Sequence, residues 1–213
     1  GGELGIALKQ AYRLFGAGEA MRPLAEEPAE KIRRFAERYT TLARRDVPGD
    51  TPVITDKSIL SYLILGLLHH ALPGARVIVV RRDPRDIALS IYRNFFETGT
   101  HRYGNDLADI AHAIKRFNRT VAHWKAALTG VIHEVRYEAL VADPESQSRA
   151  LVAAAGLDWQ DACLEFYRQT DAVKTLSVSQ VRQPIYRSSA QAWTRFEREL
   201  KPFFDAWGDE PWD

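Results

Sequence analysis

The chain has 213 residues, of which 46% are hydrophobic and 27% are charged. A chain of this length and composition can bury a core within one domain, and these values exclude a disordered or fibrous protein. The 29 basic and 28 acidic residues leave a formal net charge of +1. No global positive field is therefore present to hold a polyanion such as DNA, and we predict no nucleic-acid partner.

The cysteine count and the length of the apolar runs indicate the cellular compartment. The one cysteine, Cys163, cannot form an internal disulfide or a thiolate cage, which fits a reducing compartment and a cytoplasmic location. The longest apolar run, residues 59–72, is shorter than the roughly 18 residues of a membrane span and contains two histidines. We expect a soluble protein without a membrane span. Because the chain begins Gly1-Gly2-Glu3 without a methionine, we expect that residues upstream are missing.

The histidines do not form a metal-binding pattern. His69 and His70 point about 100 degrees apart on a helix, and His112 and His123 are about three turns apart, so no metal site is predicted. The chain contains 22 arginines but only 7 lysines, a bias that indicates a GC-rich bacterial source.

Strands and helices alternate in the middle of the chain. The β-branched residues 53–56 predict a short strand that ends near Lys57, and residues 76–81 predict a second strand that is buried on both faces. Residues 58–72 predict the helix between them. Further elements are predicted as helices over 3–15, 28–45, 84–96, 105–128, 144–155, 160–169 and 190–207 and as a strand over 131–135. The pattern predicts an α/β fold, with a mostly parallel sheet flanked by helices and ligands at the C-terminal strand ends.

The segment Arg81-Arg82-Asp83-Pro84-Arg85-Asp86 follows the second strand. Pro84 is expected to open a helix at once, with Asp83 as its N-cap. A guanidinium and the free N–H groups of the first helical turn would then face the same crevice, a geometry that binds phosphate. Ser90 and Asn94, further along the same helix face, could add hydrogen bonds. The alternative is that one or both arginines form salt bridges with acidic neighbours such as Asp83 or Asp86.

Several segments stand in a characteristic order. They are Asp56-Lys57, Leu-Pro-Gly-Ala-Arg-Val-Ile at 72–78, the arginine-rich turn at 81–86, Ser90-Ile91-Tyr92, residues 135–144 around Tyr137, and residues 177–189 followed by Trp193. Together they resemble bacterial sulfotransferases related to tyrosylprotein sulfotransferase. The resemblance implies a P-loop NTPase-like sulfotransferase fold, in a single domain over residues 1–213. It also implies transfer of a sulfuryl group from 3′-phosphoadenosine 5′-phosphosulfate (PAPS) to an acceptor hydroxyl, without an obligatory metal.

The same resemblance assigns residues to the binding of PAPS. Arg82 and Ser90 would hold the 3′-phosphate, and Arg93 or Asn94 would add a contact. Tyr137 would face the nucleotide, whereas on its own it would be interpreted as a ring packed at the sheet edge. The residues assigned to close the pocket over the phosphates are Arg182, Arg187 and Ser189.

Three residues are assigned by the resemblance to the transfer itself. Lys57 would neutralise charge that develops on the oxygen between the 5′-phosphate and the sulfuryl group, and Ser177 would help to position that charge. Glu3 would remove the proton from the acceptor hydroxyl; the alternative for Glu3 is a solvated acidic residue in the first turn of a helix. Gly5 stands where the tyrosylprotein enzymes carry an arginine, which argues against peptide tyrosine as the acceptor.

Members of this family carry a glycine-rich phosphate loop after their first strand, upstream of a Gly-Gly-Glu element. We expect that this strand and loop are missing from the chain by truncation. Two other functions fit the same fold class: a non-catalytic nucleotide-binding or interaction module, and a nucleotide kinase-like phosphoryl transferase, which would need a Walker loop and magnesium ligands. The acceptor stays open among small molecules, carbohydrates, lipids and peptides, and a homodimer is compatible with the sequence.

Overall fold

The computed structural model describes residues 5–16, 22–45, 47, 49, 51–94, 96, 101–168 and 190–212. These residues fall into two compact units. Unit 1 comprises the described residues of 1–75 together with 120–128, and unit 2 comprises those of 76–119 and 129–213. Each unit has its own buried apolar cluster.

Unit 1 is helical. Its helices are α1 (Ile6–Phe15), α2 (Ala29–Arg44) and α3 (Leu65–Ala71), and a 3₁₀ helix, Ile59–Ile64, leads directly into α3. The apolar stripes of α1 and α2 face one another, because the Phe15 and Phe35 rings meet edge to face with centroids 6.1 Å apart. Both rings are buried, and the two helices themselves were predicted from the sequence periodicity.

The strand predicted over residues 53–56 does not form, since the described residues 53–58 carry no regular structure. A strand needs a ladder of backbone hydrogen bonds to a neighbouring strand, and the one described sheet contains only two other segments. The helix predicted over 58–72 begins as the 3₁₀ turns of Ile59–Ile64 and becomes α-helical only from Leu65.

Unit 2 contains the sheet. Strands β1 (Val77–Arg81) and β2 (Ile132–Arg136) run parallel, and the register pairs Val77 with Ile132 and Arg81 with Arg136. The helices are α4 (Pro84–Tyr92), α5 (Leu107–Ala127), α6 (Tyr137–Ala142), α7 (Pro144–Ala154) and α8 (Lys201–Trp207); α5 also supplies residues 120–127 to unit 1. This architecture is helix-rich α/β with a parallel sheet, as expected from the alternation of strands and helices.

The core of unit 2 lies where α4, α5 and α8 meet. Ala88, Ile110 and Phe203 have no exposed surface. The Trp207 ring stacks on Trp212 with centroids 5.0 Å apart, so the C-terminal tryptophans serve in packing.

Two further helix predictions were wrong in part. Residues 160–169 form only the 3₁₀ turns Asp161–Cys163 and Phe166–Arg168 in their described part, because their apolar side chains are adjacent rather than spaced along one face. The segment predicted as one helix over 190–207 is a 3₁₀ helix, Ala192–Phe196, followed by α8. Gln191 is left-handed, with φ of 60°, so no right-handed helix can run through it.

Candidate active site

The turn between β1 and α4 is the best-defined polar feature of unit 2. Asp83 caps α4, since its side chain accepts a hydrogen bond from the Arg85 backbone N–H, and Pro84 stands at the start of the helix. Proline has no N–H to leave unpaired at that position. The cap and the helix start predicted from the sequence are confirmed.

Two backbone N–H groups at this turn, those of Asp83 and Arg85, are already bonded to carboxylates of the protein. The Asp83 N–H donates to Glu138 Oε1 at 2.8 Å, and the Arg85 N–H donates to Asp83 Oδ1 at 2.9 Å. The protein's own carboxylates therefore already supply the negative charge that the start of a helix favours.

The two adjacent arginines have different surroundings. Arg81 donates from Nε to Glu134 Oε1 at 2.8 Å and from Nη1 to Asn118 Oδ1 at 2.7 Å, so it ties β1 to β2 and α5. The Arg82 guanidinium lies over the Tyr137 ring, 4.6 Å from its centre, and Arg82 Nη2 is 3.8 Å from Asp86 Oδ2. The salt-bridge alternative thus describes both arginines, Arg81 through its short contact with Glu134 and Arg82 through its longer contact with Asp86.

Asp86 is one of the few charged residues that the described structure buries, with 2% of its surface exposed. Its carboxylate accepts the backbone N–H of Gln191 at 2.8 Å and that of Trp193 at 3.0 Å. Asp86 therefore holds the start of the Ala192–Phe196 turn against α4. Sequence reasoning missed this role, because an aspartate in the first turn of a helix is explained equally well by the helix dipole.

Arg85 is enclosed by aromatic rings. Its guanidinium lies 4.0 Å from the Trp193 ring centre and 4.8 Å from that of Trp212. Asp83 binds it in a bidentate manner, from Nε to Oδ1 at 2.9 Å and from Nη2 to Oδ2 at 2.7 Å. Because the Arg85 charge is paired with Asp83 and its guanidinium contacts two tryptophan rings, Arg85 is a structural residue of this turn.

A pocket opens beside Arg85 and contains more negative than positive side chains. Its lining residues are Asp83, Arg85, Asp86, Arg136, Glu138, Gln191 and Trp212. Three carboxylates and two guanidinium groups do not favour a phosphate. Neither Arg82 nor Tyr137 lines this pocket, and the two side chains contact each other instead.

Ser90, Arg93 and Asn94 lie at the other end of α4, and all three are exposed. Asn94 Nδ2 donates to the Ser90 carbonyl oxygen at 2.6 Å, and the Arg93 guanidinium is 5.8 Å from the Phe196 ring centre. Ser90 lies six residues after Pro84, the first residue of α4, which corresponds to roughly 9 Å along the helix axis. The structure thus brings Ser90 and Asn94 together and Arg82 and Tyr137 together, as two pairs.

Lys57 belongs to unit 1 and is exposed. The residues on either side of it are linked, because the Ser58 N–H donates to Asp56 Oδ1 at 2.8 Å. The Tyr39 hydroxyl of α2 donates to the other carboxylate oxygen, Asp56 Oδ2, at 2.9 Å. Burial, together with the charge and hydrogen bond of Asp56, raises the pKa of Tyr39 well above its usual range, so this hydroxyl stays a donor.

The start of α1 lies beside the same turn. A Cβ atom placed on Gly5 would be 3.6 Å from Ser58 Oγ. The remaining residues assigned by the sequence, which are Glu3, Ser177, Arg182, Arg187 and Ser189, lie outside the described residues.

The described side chains fit a PAPS-like ligand in part. Arg82 offers a guanidinium next to an aromatic ring, a pairing that suits a phosphate beside a nucleoside, and Ser90 and Arg93 are exposed donors on the helix that follows. In the described part of the chain, no group of three His, Cys, Asp or Glu side chains is placed to hold a metal ion. None of the described helices is long and apolar enough to cross a membrane.

Parallel strands, a helix that starts directly after β1 and a guanidinium at that junction define an α/β protein with a candidate anion site. The model of the sulfotransferase family matches residues 7–161, and the chain belongs to this family. It is also 33% identical over 178 residues to an uncharacterized protein of Aquifex aeolicus (strain VF5), a match that covers 83% of this chain. The chain spans 23% of the length of that relative.

Proposed function

We propose that this chain is part of an enzyme that transfers the sulfuryl group of PAPS to an acceptor hydroxyl, on a P-loop NTPase-like fold. Family membership supports the transfer of a sulfuryl group in general. The observation that carries the choice of donor is the contact between Arg82 and Tyr137, which joins a phosphate-binding side chain to an aromatic ring at neighbouring strand ends. A 3′-phosphate attached to a nucleoside presents the matching pair of groups.

Arg82 holds the 3′-phosphate in this proposal, and Ser90 adds a hydroxyl donor. Arg93 suits the further contact better than Asn94, because Asn94 Nδ2 already donates to the Ser90 carbonyl oxygen. Tyr137 orients the Arg82 guanidinium on one ring face and contacts the nucleoside. Arg182, Arg187 and Ser189 complete the phosphate contacts on the strength of the resemblance alone.

The transfer step forms one bond to sulfur and breaks another. The acceptor oxygen attacks the sulfur atom, and the bond from sulfur to the bridging oxygen breaks, which leaves adenosine 3′,5′-bisphosphate. The acceptor proton passes to the Glu3 carboxylate. Lys57 stabilises the negative charge on the departing oxygen, and Ser177 assists it.

The surroundings of Lys57 support this assignment within unit 1. The turn at Asp56 and Ser58 is held by α2, and α1 begins beside Ser58. Glu3 is two residues from Gly5 in the sequence, a separation that spans at most about 7 Å. A shared role of Glu3 and Lys57 in one transfer is consistent with where α1 starts.

Calorimetric titration of the full-length protein with adenosine 3′,5′-bisphosphate and with ATP tests the donor. We expect the bisphosphate to bind more tightly, and Arg82→Ala to weaken its binding about 10- to 100-fold, as for the loss of a charge-assisted hydrogen bond. Arg149→Ala is the matched control, because Arg149 is an exposed arginine of unit 2 paired with Glu145. Tighter binding of ATP, or equal effects of the two variants, would reject PAPS as the donor.

Turnover of radiolabelled PAPS with a panel of phenols, sugars and peptides tests the reaction. Glu3→Gln is expected to lower kcat strongly and to leave bisphosphate affinity unchanged, since the base contacts only the acceptor. Unchanged kcat in this variant would remove Glu3 from the proposal.

A further inference from the structure

The segment that carries Lys57 has no regular structure of its own, yet it is attached to the core of unit 1 by side-chain hydrogen bonds. Residues 53–58 are neither helix nor strand. A lysine on an untethered segment would sample many positions, and holding it would cost conformational entropy at each turnover. The hydrogen bonds of Asp56 fix this backbone.

Asp56 is bonded through both carboxylate oxygens. Oδ1 accepts the Ser58 N–H at 2.8 Å, and Oδ2 accepts the Tyr39 hydroxyl at 2.9 Å. The first bond spans the residue between the two partners, which is Lys57, and closes an Asx turn. The second bond joins this turn to α2.

Tyr39 is a rigid anchor. It is 9% exposed, and its ring stacks on that of Phe35, with centroids 6.2 Å apart and an interplanar angle of 12°. Phe35 has no exposed surface. The hydroxyl therefore projects from a packed aromatic pair, and its raised pKa keeps it protonated.

We propose that Tyr39 and Asp56 are positioning residues, which hold the backbone of Lys57 so that its ammonium group meets the leaving oxygen of the sulfuryl donor. This inference rests on the proposed role of Lys57 in catalysis. It assigns function to two residues that would otherwise be regarded as packing and surface residues.

Hydrogen exchange measures the tether without any substrate. In Tyr39→Phe and in Asp56→Ala, the Ser58 amide is expected to exchange about tenfold faster than in the wild type, which is the equivalent of one lost hydrogen bond. Tyr12→Phe is the control, because Tyr12 lies on α1 and is exposed. An unchanged Ser58 rate in both tether variants would overturn the inference.

Turnover separates positioning from simple stabilisation. We expect Tyr39→Phe to lower kcat about 10- to 100-fold, the order found for a small misplacement of a catalytic group, with the KM for PAPS changed by no more than about twofold. In a Lys57→Ala background, Tyr39→Phe should have no further effect on kcat, because no ammonium group is left to position. Thermal unfolding curves show that each variant is folded at the assay temperature.

The outcomes distinguish the two proposals. If Lys57→Ala has full activity, the role of Lys57 fails, and the inference fails with it. If Lys57→Ala is impaired while Tyr39→Phe turns over normally, or if the two substitutions lower kcat independently, Lys57 stays in the proposed mechanism and only the positioning role is overturned.

Discussion

Arg82 and Tyr137 meet because they are the next residues after a matched pair in two parallel strands. Arg81 of β1 is in register with Arg136 of β2, and one residue later the Arg82 guanidinium lies 4.6 Å from the Tyr137 ring centre. The strand register alone therefore brings a cation and an aromatic ring to the same edge of the sheet. This contact can be tested by substitutions of Arg82 and of Tyr137.

Substitutions of Tyr137 should distinguish the contribution of its ring to binding from that of its hydroxyl. Tyr137→Phe keeps the face that supports Arg82, so the affinity for adenosine 3′,5′-bisphosphate is expected to change less than about threefold. Tyr137→Ala removes the ring, and we expect a loss of about tenfold, in line with one stacking contact and one cation–π contact. Titration calorimetry gives both values. Equal affinities of the alanine variant and the wild type would show that the ring takes no part in binding.

Removal of the Asp86 carboxylate should destabilise unit 2. Asp86→Ala leaves the backbone N–H groups of Gln191 and Trp193 without their acceptor, and we expect the free energy of unfolding to fall by about 3 kcal/mol. Urea unfolding measures the loss. Asp205→Ala is the control, since Asp205 is largely exposed and pairs with Lys201 on α8; its effect should be below about 0.5 kcal/mol. Similar losses in the two variants would contradict the tethering role of Asp86.

Gly66 should not tolerate a methyl group. A Cβ atom there would lie 2.6 Å and 2.8 Å from Trp124 ring atoms, and this ring is fixed because Trp124 Nε1 donates to the Tyr62 carbonyl oxygen at 2.7 Å. The overpacking cost of about 2 kcal/mol should exceed the gain of up to about 1 kcal/mol that alanine gives in a helix. Gly74→Ala is the control, because no atom lies within 4 Å of its added Cβ. Thermal unfolding should show a lower midpoint for Gly66→Ala only.

The contribution of Tyr39 to the stability of the protein should fall as the pH rises above 10. Burial, with the Asp56 carboxylate, raises the pKa of Tyr39 above its ordinary value of 10.0, so above that pH the unfolded chain loses this proton more readily than the folded protein. The stabilisation by Tyr39 is thus complete below about pH 10 and is lost as the pH rises towards the raised pKa. The stability difference between the wild type and Tyr39→Phe, measured by urea unfolding from pH 8 to pH 11, should shrink by up to about 1.4 kcal/mol per pH unit above pH 10. A constant difference would be the contrary result.

Local signals predicted those parts of the fold that local chemistry determines. The β-branched run of β1, the proline and aspartate that start α4 and the amphipathic stripes of α1 and α2 all act within a few residues. Residues 53–56 carried the same β-branched signal as β1 but form no strand, because pairing depends on a neighbour that composition does not specify.

The order of motifs singled out Arg82 and Tyr137, which the structure brings into contact, and their part in binding stays a prediction. The supporting contacts of the candidate site were not predictable from the sequence. Asp86 reaches backbone groups 105 and 107 residues further along the chain, and Tyr39 reaches Asp56 from another element. Such contacts depend on tertiary packing, so the spacing of residue types in the sequence does not reveal them.

The long separation between Asp86 and its partners also sets an order of events during synthesis. A nascent chain can complete β1, α4 and β2 well before residues 191 and 193 have been added, and until then the Asp86 carboxylate has neither backbone partner and stays hydrated. The aromatic cluster around Trp207 and the two hydrogen bonds of Asp86 therefore close unit 2 together, once residues 191–207 have been synthesised. We infer that ribosome-bound chains stopped before residue 190 hold unit 2 open and sensitive to protease, and that the addition of residues 190–212 converts it into a closed core.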